Sequence, residues 1–161
     1  MWIAIGGGIA LSLVYMFAMF ALVPKLLLKK VQSKLELRVA ENVPADQIVR
    51  KDVLVISFGL ESRGVTQARG NGALVLTPTE LRWLQLKPRS SDVTIPLVSI
   101  TVIDTKRKHL GKSYGKPLLH VSFTHQGKPD SMAWYNTDVP GWIETLGRAI
   151  GEGEDHRGAV S

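Results

Sequence analysis

The residues with the clearest chemical potential form a cationic run between positions 106 and 116. Five cations, one histidine and one hydroxyl lie within eleven positions, as Lys106, Arg107, Lys108, His109, Lys112, Ser113 and Lys116. Gly111 and Gly115 would let the backbone approach a ligand closely, and cationic side chains form charge-assisted hydrogen bonds with phosphate. The run therefore predicts a site for an anionic headgroup or an acidic partner; the alternative is a solvated, mobile basic loop.

Catalysis is not expected from this chain. Ser113 and His109 have the residue types of a nucleophile and a base, but no orienting acid accompanies them. His120 and His125 are an odd number of positions apart, so on a strand they point to opposite faces. The chain lacks cysteine and shows no glycine-rich phosphate loop, dinucleotide fingerprint or zinc spacing. The sequence thus predicts a non-catalytic protein without a metal or cofactor.

An uncharged stretch at the start of the chain predicts a helix that would hold the rest of the protein at a membrane. Residues 1–24 carry no charged side chain, and 3–23 as a helix would span roughly 31 Å, about the thickness of the hydrocarbon layer. We expect a single transmembrane anchor. The alternative is a cleaved secretory signal, although no Lys or Arg precedes the apolar run. Small residues are four positions apart in two pairs, Gly6 with Ala10 and Gly8 with Ser12. This small-xxx-small spacing predicts weak self-association through the helix.

Positive charges follow the predicted anchor directly and set its orientation. The juxtamembrane cations are Lys25, Lys29, Lys30 and Lys34. Because cytoplasmic flanks collect Lys and Arg, we expect a single-pass cell-membrane protein with its N-terminus outside and its domain in the cytoplasm. The formal net charge of +6 then indicates anionic lipid as a partner, and nucleic acid is not expected.

The rest of the chain predicts a linker and one small, mainly β domain. Residues 25–52 are expected to form a basic juxtamembrane helix and linker, 53–150 the domain, and 151–161 a disordered tail. Short β-rich segments with frequent turn signals predict six or seven antiparallel strands. Asn71-Gly72 is the dipeptide of a tight hairpin turn. An apolar stripe at helical spacing predicts a closing helix that begins after Asp138 and ends at Gly151.

The order of these elements resembles the pleckstrin-homology (PH) superfamily with its GRAM-like branches. The segments 69–77, 95–97, 109–113, 116–119 and 133–135 look like those of bacterial proteins that pair one N-terminal membrane helix with a PH-like domain. The resemblance implies a bent antiparallel barrel or sandwich capped by the C-terminal amphipathic helix. It also implies a phosphate site between the first two strands, where Arg63, Arg69 and Asn71 are the secondary candidates.

Two functions of different classes remain open from the sequence. One is a membrane-tethered PH-like module that binds anionic headgroups or an acidic protein. The other is a structural or adaptor subunit, which assembles with a membrane-protein partner and does not recognise lipid.

Overall fold

The computed structural model describes the backbone of residues 3–158 and the side chains of residues 23–151. Its contacts divide the chain into two compact units, residues 1–34 and 35–161. The first helix, α1 (Ile3–Asn42), runs through both units and contains Pro24. The side chains of the anchor predicted over 1–24 lie almost entirely outside the described residues. Among the described residues, none of the helices is long and apolar enough to cross a bilayer.

The second unit contains one seven-stranded antiparallel sheet followed by a helix. The strands are β1 (Arg50–Leu60), β2 (Gly70–Leu76), β3 (Glu80–Gln85), β4 (Val93–Pro96), β5 (Ile100–Lys106), β6 (Leu118–His125) and β7 (Lys128–Tyr135), and the helix is α2 (Val139–Gly158). Their spatial order is β4-β3-β2-β1-β7-β6-β5. The mainly β fold with a C-terminal helix is therefore confirmed.

The sheet is not closed into a hydrogen-bonded barrel. Its two edges, β4 and β5, are joined through a short 3₁₀ turn at Leu97–Ser99 and do not pair with each other. β4 is four residues long and ends in Pro96, which has no amide hydrogen to donate across the gap. Helix α2 packs against β5, β6 and the 3₁₀ turn.

The main core lies between the inner face of the sheet and α2. Trp142 and Leu146 are fully buried there, as the apolar stripe predicts. The Trp142 Nε1–H donates to Asp52 Oδ2 at 2.7 Å, so its one polar group is satisfied. The helix begins as expected, because the Gly141 amide donates to Asp138 Oδ1 at 3.0 Å.

The end of α1 covers the opposite face of the sheet. Leu35, Val39 and Val43 are buried, and the last two pack on the outer side of β2 and β3. The neighbouring Arg38 donates to Asp92 at 2.5 Å. The second unit therefore includes residues that the sequence assigned to a linker. Their i, i+4 spacing places them on one helical face, which is the face that is buried.

The predicted hairpin turn at Asn71-Gly72 is wrong. Both residues lie inside β2, where Asn71 pairs with Ile56 and Gly72 pairs with Gln85. A Cβ at Gly72 would lie 2.4 Å from Leu84 O and 2.7 Å from the Trp83 ring. Only glycine fits here, because the Trp83 ring and the Leu84 carbonyl of β3 come too close to leave room for a side chain. The requirement comes from packing between strands and not from a turn.

The predicted end of α2 at Gly151 is also wrong. The helical backbone continues to Gly158. A glycine inside a helix costs only about 1 kcal/mol relative to alanine, so it weakens a helix without having to end it. Residues 159–161 lie outside the described part, and the disordered tail stays a prediction there.

Candidate functional site

The cationic run forms an ordered loop between β5 and β6. Lys106 is the last residue of β5, and a tight turn follows in which the His109 and Lys112 backbones exchange two hydrogen bonds of 2.9 Å. The two central residues, Leu110 and Gly111, have φ angles of 49° and 73°. Positive φ at both positions is what a type I′ turn requires.

Three side-chain links join this loop to the end of β1 and the β1–β2 connection. His109 Nε2 lies 3.1 Å from Gly59 O, and Arg69 Nη2 donates to Ser113 O at 2.9 Å. The Lys112 ammonium donates to Gln67 O. The two candidate sites that the sequence offered as alternatives are therefore neighbours, and the loop is attached to the domain.

We call the joined region the basic surface. Its cations are Arg63, Arg69, Lys106, Arg107, Lys108, Lys112 and Lys116. Lys106, Arg107 and Lys108 are exposed and have no ion-pair partner among the side chains that the structure describes. The one acidic residue of the two segments is Glu61, which accepts from Ser131 Oγ at 2.5 Å; the nearby Asp104 of β5 is bonded to His120. The region thus carries a clear excess of positive charge.

Two further cations of the basic surface contact aromatic rings. The Arg69 guanidinium lies 5.1 Å from the Phe58 ring centre, and the Lys116 ammonium lies 5.9 Å from that of Tyr135. Tyr114 stacks on Tyr135 with centres 4.1 Å apart. These contacts hold the stems of two cations in place while leaving the surface positive.

The secondary candidates Arg63 and Asn71 occupy different settings. Arg63 is exposed, and its Nη1 lies 3.5 Å from Ser90 O. Asn71 is exposed on β2, and its carbonyl accepts the Leu86 amide at 2.7 Å. The links described above bring Arg69 to the loop; no described side-chain bond does the same for Asn71.

The loop residue His109 lies beside His120 of β6. His109 and His120 are buried with ring centres 5.7 Å apart, and His120 Nδ1 lies 2.6 Å from Asp104 Oδ1. Burial lowers the pKa of His109, with further lowering from His120 and Lys106; the Gly59 hydrogen bond and Glu61 act in the opposite direction. A neutral His109 fits its role as an internal link of the loop.

Neither a metal centre nor a nucleophile–base pair is assembled among the described side chains. No three or more of their His, Asp or Glu groups are placed to hold one ion. Ser113 Oγ accepts the Gly115 amide at 3.1 Å, whereas His109 Nε2 is bonded to Gly59 O. As the strand geometry predicts, His120 is buried and His125 is exposed on β6.

A cleft of about 220 Å³ lies between the β1–β2 connection and the β3–β4 loop. Its apolar wall includes Leu60, Val93 and Met132, and Arg63 and Gln67 are among its polar lining. Sequence reasoning missed this cleft and the central place of Gln67. The walls of the cleft come from well-separated segments. The partners of Gln67 are main-chain groups, because its side-chain amide bonds to Leu60 and Gly64 and its main-chain oxygen accepts from Lys112, so neither feature has a local sequence signal.

The juxtamembrane cations belong to the first unit. Lys25, Lys29, Lys30 and Lys34 are all exposed on α1. Leu26, Leu27 and Leu28 lie between them and are more than half exposed.

No family model and no curated protein matches the chain. Among solved structures it is similar to the Vps36 N-terminal PH domain, with a TM-score of 0.45 and 13% sequence identity. The match covers 66% of this chain and 80% of that domain. At this level of likeness no ligand and no residue role carries over.

Proposed function

We propose that this protein is a single-pass, membrane-anchored, non-catalytic binding module with a PH-like domain. In this proposal the basic surface engages anionic lipid headgroups, or an acidic protein partner, at the cytoplasmic face of the membrane. The observation that supports it is the joining of the 106–116 loop to the β1–β2 connection. Each segment alone is a weak indication of a binding site, whereas together they form one ordered cationic region.

Electrostatics supports an anionic membrane as the first ligand to test. Each Lys or Arg near an anionic leaflet contributes about 1 kcal/mol of attraction, which salt screens. Because the loop is already linked to the domain, little conformational entropy is lost when its cations bind. A tethered domain also meets the lipid surface at a high effective concentration, so a modest intrinsic affinity is sufficient.

The cations of the basic surface divide into two groups with different uses in an experiment. The guanidinium of Arg69 and the ammonium of Lys112 donate to main-chain oxygens, so replacing them would disturb the loop as well as its charge. Lys106, Arg107 and Lys108 are exposed without ion-pair partners in the described region, so they test charge alone.

The experiment uses the full chain reconstituted into vesicles. A fluorophore on Thr66→Cys is selective because the chain has no cysteine, and this exposed position lies next to Gln67. We expect energy transfer from this donor to acceptor lipids to rise as phosphatidylglycerol replaces phosphatidylcholine, and to fall with added salt. Neutralising Lys106, Arg107 and Lys108 to Gln should remove most of the rise.

The matched control removes the same charge elsewhere, with Lys51, Lys128 and Arg148 changed to Gln. Lys51 and Arg148 are in exposed ion pairs, which are worth little to stability. This variant should keep the response. If the original chain shows no dependence on phosphatidylglycerol, the lipid role is rejected; crosslinking to a protein partner in native membranes would then favour the adaptor function.

A further inference from the structure

The cleft between the β1–β2 connection and the β3–β4 loop is a feature separate from the loop of residues 106–116. Its volume is about 220 Å³, and its apolar wall contains Leu60, Val93 and Met132. Benzene, with six carbon atoms, binds in an apolar cavity of about 150 Å³, so this cleft has room for about nine non-hydrogen atoms. That size matches a small organic molecule.

The polar side chains of the cleft have their acceptors occupied and a donor left over. Gln67 Oε1 accepts the Leu60 amide at 3.1 Å, and Gln85 Oε1 accepts the Trp83 indole N–H at 3.3 Å. Ser57 is 2% exposed, and its Oγ accepts a backbone amide, but its hydroxyl hydrogen has no acceptor among the described residues. A buried donor without an acceptor favours a ligand that brings one.

The charge of the cleft is a single positive one. Arg63 is exposed and has no carboxylate partner among the described side chains, and none of the described lining residues is acidic. The acids nearby are engaged elsewhere, since Asp92 pairs with Arg38 and Glu61 accepts a hydrogen bond from β7. One cation matches a ligand with one negative charge. A headgroup with several phosphates would need more cations and would leave the apolar wall uncovered.

We infer that this cleft binds a small carboxylic acid with an apolar body. The carboxylate supplies the acceptor that the Arg63 guanidinium and the Ser57 hydroxyl lack, through charge-assisted hydrogen bonds. The apolar body covers Leu60, Val93 and Met132. The inference goes beyond the proposed function, because it concerns a soluble small molecule and not a membrane surface.

Methionine methyl signals give a readout located at the cleft. The chain has four methionines, and Met132 is the one that lies beyond residue 19. The full chain, with ¹³C-methyl methionine, is placed in neutral phosphatidylcholine nanodiscs, and Met132→Leu assigns the signal. We expect 3-phenylpropionate to shift the Met132 signal with a dissociation constant on the order of 1 mM, as a ligand of this size allows.

Two matched ligands separate the charge from the apolar body. The amide 3-phenylpropionamide has the same body without the charge, so it should bind about tenfold more weakly or less. Acetate has the charge without the body, so it should leave the Met132 signal in place. Equal binding of the acid and the amide would overturn the inference.

Two variants separate the cleft from the general positive charge of the domain. Arg63→Gln should weaken binding of the acid about tenfold and leave the amide unaffected. Arg89→Gln is the control, because Arg89 is an exposed cation of the β3–β4 loop outside the described lining, and it should bind the acid as the original chain does.

Unchanged binding of the acid by Arg63→Gln overturns the inference, and so does a Met132 signal that no concentration of the acid shifts. Either result leaves the proposed function standing, since that function is measured separately, on vesicles, through Lys106, Arg107 and Lys108.

Discussion

Single residues in this fold are constrained mainly by contacts across strands. Gly72 shows this best, because a Cβ there would meet the Leu84 carbonyl and the Trp83 ring well inside normal contact distances. Trp83 is fully buried and lies 6.4 Å from Trp134, centre to centre, so it has no room to move away. The position therefore excludes every side chain, whatever its turn or strand preference.

We predict that Gly72→Ala lowers the free energy of unfolding by about 1–3 kcal/mol, the usual cost of overpacking a core. Gly147→Ala is the matched control, since this exposed helical glycine has nothing within 4 Å of the added carbon. It should stabilise α2 by about 0.5–1 kcal/mol. Chemical unfolding followed by circular dichroism measures both. Equal stability of the two variants would contradict the packing argument.

At the scale of elements, the sequence predicts strands and helices whose apolar residues repeat regularly. It does not predict the hydrogen bonds that side chains donate to main-chain carbonyls. Leu119, Val121 and Phe123 recur at every second position of β6, and all three pack in the main core. The α2 stripe likewise buries Trp142 and Leu146. By contrast, the loop is attached through the oxygens of Gly59, Gln67 and Ser113. Every residue has a carbonyl, so nothing in the sequence marks these acceptors.

The domain boundary was hard to read for a related reason. The apolar spacing of Leu35, Val39 and Val43 indicates a helical face, but it does not say what that face covers. In the structure this face belongs with the compact unit, and the last two residues pack on the outer side of β2 and β3. An isolated helix would not be stable with this face exposed, so its burial is a property of the whole unit.

We predict that a fragment of residues 35–161 folds cooperatively, whereas a fragment of 53–161 does not. The shorter one lacks three buried side chains, each worth roughly 1.5–3 kcal/mol, against a total stability of about 5–15 kcal/mol. It also lacks Asp52, which accepts the Trp142 indole N–H, and Arg50, which bridges to Asp138 at 2.8 Å. Thermal unfolding and gel filtration compare the two. A sharp, equal transition in both would show that the end of α1 is dispensable.

At the scale of the whole molecule, the proposal requires the anchor to remain attached and the domain to face the cytoplasm. The uncharged start of the chain and the cations at 25, 29, 30 and 34 predict this orientation. If the start were instead a cleaved signal, the domain would be released on the opposite side. The basic surface would then never meet the leaflet that the proposal assigns to it, however well it binds anionic vesicles.

Accessibility of one introduced cysteine distinguishes these arrangements. Val98→Cys provides a single thiol on a well-exposed residue of an otherwise cysteine-free chain. A membrane-impermeant maleimide should label it only after the cell membrane is made permeable, and the intact mass should retain the first 24 residues. A second thiol at Lys128→Cys, on another exposed part of the domain, should behave in the same way. Labelling of both thiols in intact cells would show that the domain faces outward. An intact mass that lacks the first residues would show that they are a cleaved secretory signal. In either case the basic surface would have to find its anionic ligand outside the cytoplasm.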